Sequence, residues 1–141
     1  MGTMHQAHSI LTFDTPGRGL TEITEDVTRW LRQTDIRAGV MTLFCQHTSA
    51  SLLVTENASP AVQRDLLRWL GHAVPDGEGY EHSAEGPDDM PAHIRGVLTG
   101  NSLTLPIGDG RIMLGTWQGV FIAEHRTRPH KRRIVVQAMG N

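Results

Sequence analysis

Short stretches in which apolar and polar residues alternate recur along the chain, and this alternation is typical of half-buried β-strands. The first stretch covers His8–Phe13, and residues 39–57 predict two consecutive strands with the residues HTSA near their junction. Four further stretches follow the middle of the chain, at residues 101–107, 111–117, 119–126 and 132–139. Short glycine-containing turns separate them, so the last third of the chain is predicted to be all β.

Apolar residues recur every three or four positions in two other segments, which predicts amphipathic helices. The first apolar stripe consists of Ile23, Val27, Trp30 and Leu31, and the second of Val62, Leu66, Trp69 and Leu70. Thr21 or Thr24 is the expected N-cap of the first helix, and Ser59 that of the second. A short third helix is expected over residues 90–100, with Asp88 or Asp89 as its cap.

Strands and helices that do not alternate regularly favour an α+β fold. We therefore predict one domain over residues 1–141, with a mainly antiparallel, β-sandwich-like sheet and about three flanking helices. The length of 141 residues is sufficient for a substantial hydrophobic core.

Composition narrows the classes of function. The formal net charge of −2 gives no general affinity for nucleic acid, and the single cysteine, Cys45, excludes an intrachain disulfide framework. No apolar run has the length of a membrane span, and the first residues lack a signal-peptide pattern. We expect a cytoplasmic protein with neither nucleic acid nor membrane as its partner.

Three histidines are candidate metal ligands. His47 lies at a strand end, His82 in a polar loop and His93 near the start of the third helix. A catalytic zinc site commonly takes three protein ligands and leaves one position for water. No close spacing joins these histidines, so unrelated surface or hydrogen-bonded histidines are the alternative.

Carboxylates supply the next candidates, as general bases or as ligands of a harder metal such as magnesium: Asp65, Asp88, Asp89 and Glu124. For Asp88 and Asp89, helix capping is the alternative. Asp65 lies at the edge of the second apolar stripe, where a carboxylate needs a partner. Alternation places Gln118, Glu124 and Arg126 on one face of a strand. Glu124 and Arg126 either pair with each other or hold a proton-transfer group beside a phosphate.

Cations gather near the end of the chain, at Arg126, Arg128, Lys131, Arg132 and Arg133. Arginine matches phosphate in a bidentate way, so this segment is a candidate anion site, with a charged edge strand as the alternative. The small residues that include Thr48 and Ser49 offer hydroxyls and backbone amides to an anion. Neither the serines nor Cys45 has the surroundings of a nucleophile.

Three stretches in order, HTSASLLVTEN (47–57), YEHSAEGPDDMPAHI (80–94) and LGTWQGVFIAEHR (114–126), resemble the YjbQ family. The resemblance covers nearly the whole chain, and GTWQG followed by E-x-R is its most distinctive part. It implies a compact α+β fold, a homotrimer and a site near subunit boundaries.

The resemblance also implies roles for particular residues. His47, His82 and His93 would bind a divalent metal, zinc in the first place with magnesium as the alternative. Substrate or anion contacts would come from Thr48, Ser49, Asn57, Gln118 and Arg126, and Glu124 or Asp65 would be the catalytic base or orienting acid. The chain departs from the family at Thr55, where NEN is common, and at Asp89, where DN is common. The extra acid at Asp89 would alter the charge beside the metal.

The activity that the resemblance implies is that of a secondary thiamine-phosphate synthase. Such an enzyme couples a pyrimidine methyl diphosphate to a thiazole phosphate and releases pyrophosphate. Two alternatives stay open: a metal-dependent hydrolase of a phosphorylated or ester substrate, and a non-catalytic trimeric module that binds a metal or small anion.

Overall fold

The computed structural model describes residues 2–141, which form eight strands and three helices. The first half contains β1 (His5–Thr15), β2 (Gly19–Glu22), α1 (Thr24–Gln33), β3 (Gly39–Cys45), β4 (Ala50–Glu56) and α2 (Pro60–Ala73). The second half contains α3 (Asp89–Thr99), β5 (Ser102–Gly108), β6 (Arg111–Ile112), β7 (Gln118–Glu124) and β8 (His130–Gly140).

The strands form two antiparallel sheets. One sheet has the order β1-β8-β3-β5-β6, and the other has the order β2-β7-β4. Together with the three helices, these sheets confirm the predicted α+β fold. Three of the four strand stretches predicted after residue 100 correspond to β5, β7 and β8, whereas only Arg111–Ile112 of the stretch 111–117 forms a strand, β6.

One hydrophobic core joins the two sheets and α1. Its buried members include Met41 and Leu43 of β3, Leu52 of β4, Val120 and Ile122 of β7, and Ile134 and Val136 of β8. Val27 and Leu31 come from the stripe predicted for α1 and are also buried in this core. Alternation along β3 places Met41, Leu43 and Cys45 on one side, and all three are buried in this core.

The start of α1 differs from the prediction. The helix begins at Thr24, and its N-cap position is occupied by Ile23, which offers no capping side chain. The hydroxyl of Thr24 instead accepts the backbone N–H of Val120 at 2.9 Å. Residues just before the helix form the short strand β2, which pairs with β7 and whose four residues are too few to give a clear alternation.

The predicted buried stripe of α2 is wrong for the single chain. Leu70 is buried, whereas Leu66 is 39% exposed and Trp69 is 65% exposed. Ser59 occupies the predicted N-cap position, but its side chain makes no capping hydrogen bond. The helix therefore presents large apolar side chains to its surroundings.

The basic segment does not form a solvated edge strand. β8 lies between β1 and β3, so its backbone is paired on both sides. Alternation along β8 turns Arg132 into the interior while Lys131 and Arg133 are exposed. The five cations consequently do not act as one patch. None of the helices in residues 2–141 has the length and apolarity that crossing a membrane requires.

Candidate metal centre

Two imidazole rings and one carboxylate converge at the start of α3. Nε2 of His82 lies 2.8 Å from Oδ2 of Asp89, and Nε2 of His93 lies 3.2 Å from the same oxygen. One donor atom from each of the three residues lies within 4.8 Å of the other two. Asp89 is buried, His93 is half-buried and His82 is exposed, so the cluster is accessible from the His82 side.

One helix and one loop bring these groups together. His93 follows Asp89 by four positions in α3, which places both side chains on the same face of the helix. His82 belongs to the loop between α2 and α3. Arg18 anchors this loop by donating two hydrogen bonds to Asp76, of 2.6 and 2.9 Å.

A backbone carbonyl determines which nitrogen of His93 carries a proton. Nδ1 lies 3.0 Å from the carbonyl oxygen of Thr48, and because that oxygen can only accept, Nδ1 must donate. In the neutral ring, Nε2 then presents a lone pair toward Oδ2 of Asp89, which also has only lone pairs. Two acceptors that face each other at 3.2 Å require a positive charge between them, either a second ring proton or a metal ion.

Arg126 orients the Asp89 carboxylate. Its Nη1 donates to Oδ1 of Asp89 at 2.9 Å, which leaves Oδ2 turned toward the two histidines. Burial acts to raise the pKa of Asp89, but the hydrogen bond from His82 and the charges of His93 and Arg126 outweigh it and lower the pKa. Asp89 is therefore ionised at neutral pH.

Asp88 links the end of β7 to the start of α3. It accepts hydrogen bonds at Oδ2 from Nε of Arg126 at 3.0 Å and from the backbone N–H of Thr127 at 2.9 Å. Burial acts to raise the pKa of Asp88, yet these hydrogen bonds hold it well below its usual range. Asp88 occupies the predicted N-cap position, but its carboxylate makes no capping hydrogen bond.

Surface pockets flank the cluster. The first, of about 460 Å³, is bounded by His93, His47 and Thr48. The second, of about 440 Å³, is bounded by His82 and Tyr80. A ligand in either pocket would contact one ring of the cluster.

His47 lies in the first pocket but outside the His82–Asp89–His93 group. Its Nε2 accepts the backbone N–H of Arg133 at 2.8 Å, so this nitrogen already has a partner. Burial and the charge of Arg132 lower the pKa of His47, which keeps the ring neutral at pH 7. Of the three predicted metal ligands, the structure therefore groups two, and Asp89 takes the third place.

Glu124 lies in a buried ion pair with Arg132, and its predicted catalytic role stays a prediction. Nε of Arg132 donates to Oε1 at 2.7 Å, Nη2 of the same guanidinium donates to Oε2, and the Thr15 hydroxyl donates to Oε1 at 2.6 Å. Burial acts to raise the pKa of Glu124, but these hydrogen bonds lower it. The residue is only 1% exposed, and its Oε2 also accepts the backbone N–H of Arg126 at 3.1 Å.

The predicted anion contacts are divided between different surroundings. Thr48 is exposed beside the first pocket, whereas Ser49 is buried and its hydroxyl accepts Nη2 of Arg132 at 3.0 Å. The guanidinium of Arg126 forms ion pairs with Asp88 and Asp89. Thr48 is thus the member of this set whose side chain is available to a ligand beside the cluster.

Asn57 and Gln118 lie at the far end of the β4–β7 pair. Ala50, at one end of β4, borders the first pocket, and Asn57 lies seven residues further on, roughly 23 Å along an extended strand at ~3.3 Å per residue. Asn57 donates to Glu22 at 2.9 Å, and Gln118 accepts the backbone N–H of Gly115 at 2.7 Å. Within one chain these two residues do not share a ligand with the cluster.

Asp65 does not occupy the partly buried position that its helical spacing predicted. Its side chain is 74% exposed and lies 3.8 Å from Arg68 of the same helix. The prediction was wrong because it assumed that the apolar stripe of α2 is buried within the chain. In the single chain, Asp65 is a surface residue of α2.

The sequence did not reveal the buried histidine His125. Its Nε2 lies 2.8 Å from Oγ of Ser51, and Ser51 in turn lies 2.5 Å from the hydroxyl of Thr99. Burial and then the charge of Arg95 lower the pKa of His125 to about 4. The signal was hidden because β7 is buried on both faces from Gly119 onward, so alternation does not indicate what is exposed.

The fold and the cluster together define an α+β protein with a candidate His–Asp–His metal centre at the start of its third helix. A family model described as UPF0047 protein YjbQ-like matches residues 9–141. The chain belongs to this YjbQ family.

Relatives and solved structures agree with this membership. The chain is 46% identical over 139 residues to a UPF0047 protein of Synechocystis, covering 98% of this chain and 95% of the relative. It is 42% identical over 131 residues to the UPF0047 protein YjbQ of Escherichia coli O157:H7, covering 92% and 95%. A conserved hypothetical protein of Thermus thermophilus is 36% identical with a TM-score of 0.81, covering 91% of this chain and 97% of that one. A YbjQ-like protein of unknown function from Sulfolobus solfataricus has a TM-score of 0.90 at 21% identity, covers 99% of this chain and 100% of its own, and supports the fold alone.

Proposed function

We propose that this chain is a cytoplasmic, metal-binding enzyme that acts on a phosphorylated small molecule, with His82, Asp89 and His93 as its metal ligands. The observation that carries the proposal is the convergence of two imidazole nitrogens on one carboxylate oxygen. A positive charge is needed at that point because the proton on Nδ1 of His93 leaves acceptor facing acceptor.

The donor set suits zinc. Zinc binds imidazole nitrogen and carboxylate oxygen, and a set of three protein ligands leaves one position open, as in catalytic zinc sites. Magnesium prefers oxygen donors and keeps several of its waters, so it suits two imidazoles poorly. The extra acid at Asp89 adds a negative charge, which favours a divalent cation.

Two neighbouring groups orient the proposed metal ligands. The Thr48 carbonyl keeps the proton on Nδ1 of His93 and so frees Nε2 for binding. Arg126 holds one oxygen of Asp89 and leaves the other for the metal. When bound, the metal would supply a Lewis acid that stabilises negative charge on a phosphorylated group.

The specific reaction that we propose is the coupling implied by the family resemblance. The thiazole ring nitrogen forms a bond to the methylene carbon of the pyrimidine. The bond from that carbon to the diphosphate oxygen breaks, and pyrophosphate leaves with the electron pair. The attacking nitrogen has no proton to lose, so this step needs no general base, which agrees with the burial of Glu124. Thr48 and His47 would contact the substrate in the first pocket.

A homotrimer is part of the proposal. Large apolar side chains are exposed on α2, on α3 and before β7: Trp69 is 65% exposed, Val97 86%, Leu98 61% and Trp117 64%. Exposed apolar area of this kind is typical of surfaces that meet another protein. The substrate roles predicted for Asn57 and Gln118 require such an assembly, because these residues lie far from the cluster of their own chain.

The test is turnover by the purified, zinc-loaded protein with the pyrimidine diphosphate and the thiazole phosphate. We expect thiamine phosphate and pyrophosphate in equal amounts from the wild type and from His8→Ala, a substitution of an exposed histidine in β1. His93→Ala should lower the rate at least as far as loss of the metal does. A rate in His93→Ala equal to that of the wild type would remove the proposal.

Hydrolysis of a phosphorylated or ester substrate is the second candidate. Arg126, the guanidinium beside the cluster, is already taken up by Asp88, Asp89 and the Glu85 carbonyl, so it is not free to hold a departing pyrophosphate. A three-ligand metal with an open water position suits hydrolysis. Product formation from one substrate alone, without a coupling partner, would favour this candidate over the first.

A further inference from the structure

We infer that Arg132 is a positioning residue for the proposed metal centre: it fixes the turn His47–Ser49, whose Thr48 carbonyl sets the ring of His93. This inference rests on the proposed function where it concerns metal affinity, and on the structure alone where it concerns the ring of His93.

Arg132 connects the two sheets at the end of β4 that borders the cluster. It lies on β8 of the larger sheet, while its partner Glu124 lies on β7 of the smaller one. Beyond the ion pair, Nη2 of Arg132 donates to Oγ of Ser49 at 3.0 Å and to the Ser49 carbonyl at 3.3 Å. Both the side chain and the backbone of Ser49 are therefore fixed by one buried guanidinium.

The effect reaches His93 through one peptide unit. The Thr48 carbonyl is bonded directly to the nitrogen of Ser49, and it accepts the hydrogen bond from Nδ1 of His93. On the other side, Gly96 of α3 lies so close that a Cβ there would be 3.3 Å from the same oxygen. Arg132 holds Ser49 on one side of this carbonyl and α3 lies on the other, so a shift of the turn would change the partner of Nδ1.

The stability of the fold does not by itself require the ion pair between Arg132 and Glu124. Apolar side chains of similar volume commonly replace a buried ion pair with no loss of stability. Apolar side chains cannot, however, hold the carbonyl and hydroxyl of Ser49. The guanidinium, with five donors in a rigid fork, can bind Glu124 and Ser49 at once. This combination indicates a role in placing the turn.

Three variants separate positioning from general stability. Arg132→Lys keeps the charge but lacks the fork that reaches both Glu124 and Ser49. Ser49→Ala removes one acceptor and leaves the ion pair intact, and it serves if Arg132→Lys does not fold. Val136→Ala removes buried volume from the same strand, and it controls for destabilisation because Val136 lies in the core opposite Leu43 of β3.

The first readout is the ¹H–¹⁵N signal of Nδ1–H of His93 in the metal-free protein, because a proton held by the Thr48 carbonyl exchanges slowly with water. We expect a sharp, slowly exchanging Nδ1–H signal in the wild type and in Val136→Ala. In Arg132→Lys, and less strongly in Ser49→Ala, this proton should exchange faster and its signal should weaken. A wild-type spectrum in both turn variants would overturn the inference, whether or not the protein binds metal.

The second readout is zinc affinity, measured by competition with a chelator. Loss of a group that orients a ligand typically lowers metal affinity by about 10- to 100-fold, and we expect this in Arg132→Lys. Val136→Ala should keep the wild-type affinity, and an equal loss there would contradict a positioning role. If the wild type binds no zinc while the Nδ1–H signal of His93 still responds to Arg132→Lys, the positioning role stands and the proposed metal function fails.

Discussion

Arg126 and Asp89 are joined by a hydrogen bond of 2.9 Å between Nη1 and Oδ1, and this contact determines which carboxylate oxygen faces His82 and His93. Arg126 stands two residues after the end of β7, whereas Asp89 begins α3. The strand thus orients a ligand carried by the helix. Arginine at this position organises the site, although from sequence it was a candidate anion contact.

Arg126→Gln should destabilise the protein because it leaves Asp88 and Asp89 without their shared partner. Both carboxylates are buried, so we expect the free energy of unfolding of the metal-free protein to fall by about 1–3 kcal/mol. Arg128→Gln, in the exposed segment that follows, is the matched control and should change it by less than ~0.5 kcal/mol. Denaturant unfolding at neutral pH measures both, and equal values for the two variants would argue against the described ion pairs.

Asp89→Asn should weaken zinc binding by roughly 100-fold or more. Loss of a residue that only orients a ligand lowers metal affinity by about 10- to 100-fold, and Asp89 is itself a proposed ligand. The amide is neutral, and its oxygen would turn toward Arg126, which leaves the NH₂ group facing the histidines. Asp65→Asn on the surface of α2 is the control and should bind as the wild type does. Chelator competition gives both affinities, and an unchanged value for Asp89→Asn would exclude this carboxylate as a ligand.

His125 should make the protein less stable as the pH falls from about 6.5 to about 4. Its pKa is 6.5 in the unfolded reference and about 4 in the folded chain, so the unfolded chain binds the extra proton over this range. The loss of unfolding free energy from this group should approach about 3 kcal/mol. His125→Asn, compared with the wild type in metal-free buffer, should flatten the pH dependence between these values. An identical slope would show that His125 is not the titrating group.

Trp69→Gln should shift the proposed homotrimer toward smaller species. The side chain is 65% exposed in the single chain, so its replacement should leave the fold of the protomer intact while it removes apolar contact area between protomers. Arg64→Gln lies on another face of α2 and serves as the control. Light scattering after gel filtration reports the mass, and a trimer that survives Trp69→Gln at low concentration would place the interface elsewhere.

Much of the fold was predictable because β3 and β8 alternate regularly and α1 repeats its apolar residues at helical spacing. The apolar stripe of α2 was misassigned for a physical reason. An apolar face indicates that something covers it, but not whether the cover comes from the same chain. In this chain Trp69 is left exposed.

The candidate site was predictable only in part. His82 and His93 were predicted to be metal ligands and lie in the cluster, whereas Asp89 was predicted to be a general base, a ligand of a harder metal or a helix cap. Its role depends on the distances to Arg126 and the histidines, which spacing along the chain does not contain. The same holds for Glu124, whose partner Arg132 was hidden because the two residues lie in different sheets.

The metal content of the purified chain, after zinc is supplied and excess is removed, shows directly whether the cluster is a metal centre. We expect about one zinc per chain in the wild type and in His8→Ala, and close to none in His82→Ala and His93→Ala. Equal metal in all four proteins would place the binding elsewhere. A wild type that retains no zinc would contradict the metal centre itself.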